Sequence, residues 1–510
     1  MSKRVVGRRT SLLPGLNLLL HLEVKTAQPL YAIEASSAMS WFRDINELLR
    51  QEPEDWLAYL HGQQLDNLSF LTTKRPRYRG LILQVAKYVA FLLRDLKFNQ
   101  RPELKRPAKF FVFAGSANQI GSLNQTIDSL KKSGERVLAV GNKAFLGNSD
   151  CAARYVPFSL NIVDVLRSVI LLTTRGFGLY KTLRATHPVS VDWHFATFCS
   201  VYNYLVYFHR VLRQVKPEFV ITANDHNVPN RCFLAVAHQL GIKTVYLQHA
   251  SVSSIFPALR VDYAFLDGQC ALDTYRQCES NQPATARNVP VPQVILSGQK
   301  KHLKRSESRN TDAVGVALNT LDDVKASIEL INALAREGLS VRLRWHPGQA
   351  VKDTKQFREA FAANERVSLS DPRQEPISSF MERIGWLIAG NSSIHLEAAL
   401  AGVMPIYHEL TPPDMPDYYG YVKNGLTQPA DSVEDLLALV KSIRDNHIPN
   451  AEAVRYYSAT YLTEWESREG ELVAECLKRL CTGEGLPVEV VRFELEVPAG
   501  AAAGVGACSA

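Results

Sequence analysis

The sequence predicts an α/β protein built from two Rossmann-like domains. Three observations predict it. Short apolar runs alternate with amphipathic helical patterns on both sides of a hydrophilic stretch near residue 300. Many of those runs end in polar residues, and the carboxyl ends of parallel strands are where an α/β sheet meets its ligands. The stretch Gly390–Pro405 reads as a polar turn and a helix set between two strands, closed by Gly402 and Pro405. At 510 residues the chain is too long for one typical core.

Composition narrows the class. A hydrophobic content of 46% with 21% charged residues describes a soluble globular protein. The net charge of +7 suits anionic lipid or nucleotide partners and is too weak to argue for nucleic acid. The eight cysteines form no CxxC pair, which points to a reducing compartment with free thiols. Leu12–Val24 is apolar, but Pro14, Asn17 and His21 interrupt it. It is too short and broken to span a bilayer, so neither export nor a membrane helix is expected.

Residues 1–107 read as an N-terminal helical extension, with helical spacing over Trp41–Arg50 and Arg79–Leu96. A basic cluster follows: Lys97, Arg101, Lys105, Arg106 and Lys109. It reads as a solvated linker, with an acidic membrane surface as the alternative.

Residues 108–299 form the first Rossmann-like domain. Its first strand, Phe110–Ala114, leads into a glycine loop containing Ser116 and Asn118. A helix to Lys132 and the strand Val137–Val140 complete a β-loop-α-β unit. The aromatic run Trp193–Leu212 reads as helical core. Phe219–Thr222 is a strand that ends in Ala223-Asn224-Asp225-His226-Asn227. Thr244–Leu247 ends in Gln248-His249, and Val261–Leu266 ends in Asp267-Gly268. Asp225 and His249 together read as functional, whereas Asp267 reads as a helix cap.

Residues 300–312 read as the interdomain linker and 313–450 as the second domain. Its strands are expected at Val314–Leu318, Val341–Trp345, Val367–Leu369 and Ile384–Ala389. The second ends in His346-Pro347. Asn391, Ser392 and Ser393 begin a helix, where unpaired N–H groups suit a phosphate. The plainer reading is that a serine caps the helix. Glu397 lies one turn in, and His395, on another face, reads as structural. Residues 485–510 read as a partly disordered tail.

A strand ending in His-Pro, then a strand, Gly-Asn-Ser-Ser and a Glu-bearing helix resemble the C-terminal half of GT-B glycosyltransferases. The layout over residues 108–458 is most similar to the bacterial sialyltransferase, Kdo-transferase and CDP-glycerol transferase group, which builds capsule and lipopolysaccharide. The resemblance implies two domains facing a cleft, with helices 451–484 crossing back over the first. It implies that His346, Ser392 and Ser393 contact the donor phosphate, with His346 also a catalytic candidate that could give that phosphate a proton, that Pro347 and Asn391 belong to the donor site, and that Glu397 accepts from ribose hydroxyls. Ser116, Asn118 and His226 would face the acceptor. Asp225 is the candidate general base, or a nucleophile in a retaining enzyme, with His249 beside it.

The expected reaction moves a sugar, with a CMP-linked acid sugar favoured, from a nucleotide-activated donor to a glycan or lipid-linked acceptor. It would need no cofactor and no metal, since no DxD motif is present. The expected location is cytoplasmic, with possible peripheral contact at the inner membrane. One departure from the group is plain: the sialyltransferases carry an acidic pair before glycine, and this chain has Leu266-Asp267-Gly268. A CDP-glycerol-type polyol-phosphate transferase, a UDP-sugar 2-epimerase of the same fold and a non-catalytic binding protein are the alternatives.

Overall fold

A computed structural model describes residues 40–50, 79–99, 101–142, 146, 154–254, 256–281, 291–300, 303, 313–410, 416–442 and 449–493. The chain divides into two compact units, Met1–Glu52 and Pro53–Ala510. In the first, residues 40–48 are helical, with Trp41, Ile45 and Leu48 buried at the 3–4 residue spacing of one helix face. The second unit holds all the strands and the other helices of the described residues.

That unit opens with α1 (Leu81–Asp95). Then come β1 (Phe110–Ala114), α2 (Ala117–Lys132), β2 (Val137–Gly141), β3 (Tyr155–Pro157), α3 (Ile162–Thr186) and α4 (Pro188–Val215). They are followed by β4 (Phe219–Thr222), α5 (Val228–Gln239), β5 (Lys243–Leu247), β6 (Tyr263–Leu266), α6 (Gln269–Ser280) and β7 (Gln293–Leu296). The second set is β8 (Ala313–Ala317), α7 (Val324–Arg336), β9 (Ser340–Arg344), α8 (Val351–Ala360), β10 (Val367–Ser370), α9 (Ile377–Met381) and β11 (Trp386–Ala389). It continues through α10 (Ile394–Leu400), β12 (Met404–Tyr407), β13 (Gln428–Pro429), α11 (Val433–Ser442), α12 (Ala451–Tyr457), α13 (Glu469–Thr482) and β14 (Val490–Arg492).

The strands fall into two sheets. The first has the order β14-β7-β6-β5-β4-β1-β2-β3 and the second β10-β9-β8-β11-β12-β13. Every pairing is parallel except that of β14 with β7. This is the pair of Rossmann-like sheets the alternation predicts. In each, strand order reverses beside the first strand: between β1 and β4 in one, between β8 and β11 in the other. Crevices at such reversals are where α/β sheets bind ligands.

The cores follow from composition. All five residues of β1, Phe-Phe-Val-Phe-Ala, are buried, as a strand covered on both faces requires. The aromatic run on α4 is core: Phe113 meets Phe208 edge-on at 5.0 Å, and Phe208 lies 4.8 Å from Phe233. α1 also joins this layer, with the Gln84 Oε1 accepting from the Ala196 backbone N–H at 3.0 Å.

The C-terminal segment returns to the first sheet. Leu472, Val473, Cys476 and Leu477 of α13 share a core with β1, α2 and β4. Glycines permit the approach. A Cβ on Gly268 would lie 2.6 Å from the Tyr456 carbonyl oxygen, and one on Gly298, at φ 72°, would lie 1.8 Å from Thr460 Oγ1. Residues 490–492, within the stretch read as a tail, form β14 on the edge of the first sheet. Residues 494–510 lie outside the described residues, as do 301–302 and 304–312 of the expected linker.

Candidate functional site

At the first reversal, a polar network fixes the ends of β1 and β4. Ser116 caps α2, its Oγ accepting from the Gln119 N–H at 3.4 Å, while Asn118 is exposed. The Gln119 Oε1 accepts from the Gly115 N–H at 2.7 Å and from the Asn230 side-chain amide at 3.1 Å. After β4, the Asn224 Oδ1 accepts from the backbone N–H groups of His226 and Asn227, at 3.0 and 2.7 Å. The Asn224 NH₂ can then only donate, and it lies 2.9 Å from His226 Nε2. On the other side of the ring, Nδ1 is 2.8 Å from Asp225 Oδ1. A carboxylate only accepts, so the proton of the neutral ring sits on Nδ1.

Asp225 is enclosed. Its other oxygen accepts from the Tyr275 hydroxyl at 3.1 Å, and its side chain is 3% exposed. The Tyr275 hydroxyl also stands 3.0 Å from that of Tyr246, and burial raises both phenols above their ordinary range. His226 covers Asp225, its ring 4.5 Å from that of Phe256.

Next along the sheet, Gln248 braces two strand ends. Its Oε1 accepts from the Asp267 N–H at 2.8 Å and its amide donates to the Ala250 carbonyl at 3.0 Å. His249 follows, half-buried. Asp267, read from sequence as a helix cap, does something else. Gly268 occupies the cap position of α6, and the Asp267 carboxylate meets Lys300 Nζ at 3.1 Å. Both side chains are almost wholly buried. Lys300, read as the start of the hydrophilic interdomain linker, is thus held inside by its pairing with Asp267.

At the second reversal, Gly390 leaves β11 where a Cβ would lie 2.8 Å from Glu409 Oε2. The Asn391 Oδ1 accepts from the Tyr418 N–H at 2.9 Å, and the Ser392 Oγ from the Ile394 N–H at 3.4 Å. Ser393 occupies the cap position of α10 without a side-chain cap bond. Glu397 is half-buried, within electrostatic reach of Arg344. His395 is buried with Nε2 on the Gly390 carbonyl at 2.9 Å, and burial pushes it down to about 4, so it stays neutral and structural. Across the edge, His346 and Pro347 are exposed. The Gly348 N–H donates to His346 Nδ1 at 3.0 Å, which leaves the proton of the neutral ring on Nε2.

The structure therefore joins Asp225 to His226 and Asn391 to the 416–421 loop. His346 and Ser392 form their side-chain hydrogen bonds within their own loops. A cavity of about 390 Å³ separates the sheets. Gln248, Ser251, Asp267 and Gln299 line it from the first sheet, and Asp417 and Tyr418 from the second. None of Ser116, Asn118, Asp225, His226, His249, His346, Pro347, Asn391, Ser392, Ser393 and Glu397 lines the cavity, and Asp267, which does, reads from sequence only as a helix cap. Gln248 stood next to His249, and the run Tyr418-Tyr419-Gly420-Tyr421 was the available signal. Among the described residues, no group of three His, Cys, Asp or Glu side chains could hold a metal ion, and no helix is long and apolar enough to cross a membrane.

No protein-family model and no curated protein sequence matches the chain. Solved structures resemble it at low identity. UDP-GlcNAc 2-epimerase from Neisseria meningitidis, bound to UDP-GlcNAc, is 12% identical with a TM-score of 0.45, over 72% of this chain and 99% of that one. MurG from Acinetobacter baumannii is 11% identical with a TM-score of 0.43, over 73% and 99%. The lipopolysaccharide outer core galactosyltransferase WaaB is 10% identical with a TM-score of 0.40, over 73% and 99%. At these values the likeness assigns no activity.

Proposed function

We propose that the protein is a GT-B glycosyltransferase that moves a sugar from a nucleotide-activated donor to a glycan or lipid-linked acceptor. The observation that carries this reading is the cavity between the carboxyl edges of two Rossmann-like sheets, lined from both. Such a cleft presents one substrate to each sheet.

In this reading the second sheet serves the donor. When the anomeric C–O bond breaks, the electron pair leaves with the phosphate and positive charge develops on the sugar. The Nε2–H of His346, fixed outward by Gly348, and the Ser392 and Ser393 hydroxyls supply donors to that phosphate. Asn391 ties their turn to the cavity wall, and Glu397 receives ribose hydroxyls.

The first sheet serves the acceptor. Its hydroxyl takes the place of the Asn224 amide at His226 Nε2 and passes its proton there as the new C–O bond forms. Asp225 holds the Nδ1 proton and stabilises the imidazolium. Ser116, Asn118 and His249 stand along the same edge as acceptor contacts.

The test has two arms. A thermal-shift series with CMP, CDP, UDP and GDP should raise the melting temperature with one nucleotide class, because a ligand of the native state alone stabilises it. NMR of the matching nucleotide sugar should show turnover only when acceptor is present. Interconversion of the sugar without acceptor would assign an epimerase instead.

A further inference from the structure

We propose that the outward faces of α1 and α3 form a docking surface for an anionic phospholipid bilayer. The proposal stands apart from the reaction assigned above and rests on exposed residues outside the cavity.

Both helices are amphipathic in an inverted sense. α3 packs on α4 through Ser168, Leu171, Tyr180 and Leu183. Its exposed residues include Ile162, Leu166, Ile170 and Phe177, spaced as one helical stripe, and Phe177 is 73% exposed. α1 packs on α4 through Gln84, Tyr88 and Leu92. It presents Ile82, Val89 and Leu93 outward, with Ile82 at 84% exposure. The two helices are tied at one end, since the Lys97 N–H donates to the Leu160 carbonyl at 2.7 Å and the Leu160 N–H to the Asp95 carbonyl at 2.9 Å. An exposed apolar surface on two adjoining helices costs free energy in water unless something covers it.

Charge selects the occupant. α1 and α3 carry Lys87, Arg94, Arg167, Arg175, Lys181 and Arg184 and no glutamate. Asp95 pairs with Arg94 at 2.8 Å, so those two charges cancel, and Asp164 is held by Arg210 of α4 at 2.6 Å; Lys87, Arg167, Arg175, Lys181 and Arg184 set the sign of the border. The surface is therefore apolar with a cationic border, the pattern of a helix lying in a lipid interface. Anionic head groups answer the cations while acyl chains take Ile170 and Phe177. A second copy docking about a two-fold axis would set the same cations against one another.

The test uses the full chain in co-sedimentation with vesicles of phosphatidylethanolamine, with and without phosphatidylglycerol. The wild type should sediment with the anionic vesicles and much less with the neutral ones, and added salt should release it. Ile170→Glu with Phe177→Glu should weaken vesicle binding by about tenfold or more. Lys181→Glu with Arg184→Glu should remove the preference for phosphatidylglycerol. These side chains are exposed, so an unchanged melting temperature serves as the folding control. A wild type that stays in the supernatant overturns the proposal, as does undiminished binding by folded variants. A wild-type dimer in analytical ultracentrifugation, split by the Ile170 and Phe177 changes and blind to vesicles, would assign the face to a second copy and overturn it too.

Discussion

The ammonium of Lys300 lies 3.1 Å from the carboxylate of Asp267, with both side chains almost fully removed from water. Removing one partner leaves an unpaired buried charge, which costs about 3–5 kcal/mol. Lys300→Met and Asp267→Leu should each lower the unfolding free energy from urea titration by an amount of that order. The double variant should recover much of the loss, because desolvation of both charges disappears with them. Single variants with wild-type midpoints would mean that water reaches the pair.

The approach of Thr460 to Gly298 sets a second expectation. An alanine there meets Thr460 Oγ1 at 1.8 Å and a left-handed backbone at once. Gly298→Ala should destabilise by roughly 2–4 kcal/mol. Thr460→Ala should restore only part of this, since the Thr460 Cβ itself stands 2.8 Å from the added atom. Limited proteolysis should show earlier cutting within residues 458–468 of the single variant. An unchanged digestion pattern and midpoint would refute the packing argument.

The division of labour between the sheets is tested by two substitutions. His346→Ala should weaken nucleotide binding by about 1.5–3 kcal/mol, the worth of a hydrogen bond to a charged group. Asp225→Asn should bind nucleotide normally and lose about 10²–10⁴ in rate, because an acid–base pair acts in the transition state. Calorimetric titration beside a turnover assay separates the two. The opposite pattern would exchange the roles of the sheets.

Asp322 should impose a pH dependence on stability. Burial, with Glu409 adding to it, raises its carboxyl from 3.8 to about 6. Below about pH 4 the group is neutral in both states and has no effect. Between there and pH 6 the unfolded chain ionises while the folded one stays protonated, so stability falls as pH rises, by about 3 kcal/mol in all. Asp322→Asn should flatten that slope and stabilise the protein at pH 7. Parallel urea titrations across pH 4–8 would read this directly, and coincident slopes for the two proteins would contradict it.

Much of the architecture was legible because it is written locally. The strands ending at Ala114, Thr222, Leu247 and Ala389 are continuous apolar runs bounded by polar turns, and their carboxyl ends brought Asp225, His249 and Asn391 into view. What was illegible depends on distant partners. β14 acquires its identity only by pairing with β7, nearly 200 residues earlier (490 against 295). β3 has three residues, too few to show a period. Lys300 looks like any linker lysine until Asp267 is placed beside it. The enclosure of Asp225 by Tyr275 joins residues 50 positions apart. The outward apolar stripe of α3 has the same spacing as an inward one, so periodicity alone cannot say which way it faces.

The return of α13 onto α2 bears on how the protein is made. Leu472, Val473, Cys476 and Leu477 complete the core around β1, the first strand of the sheet. On the ribosome, β1 and α2 emerge some 340 residues before the helix that covers them (132 against 469). The second sheet, by contrast, lies wholly within residues 313–429 and can close its strands as soon as they leave the exit tunnel. Domains usually mature in the order of synthesis. Here the half of the molecule translated first must wait, partly uncovered, for the half translated last.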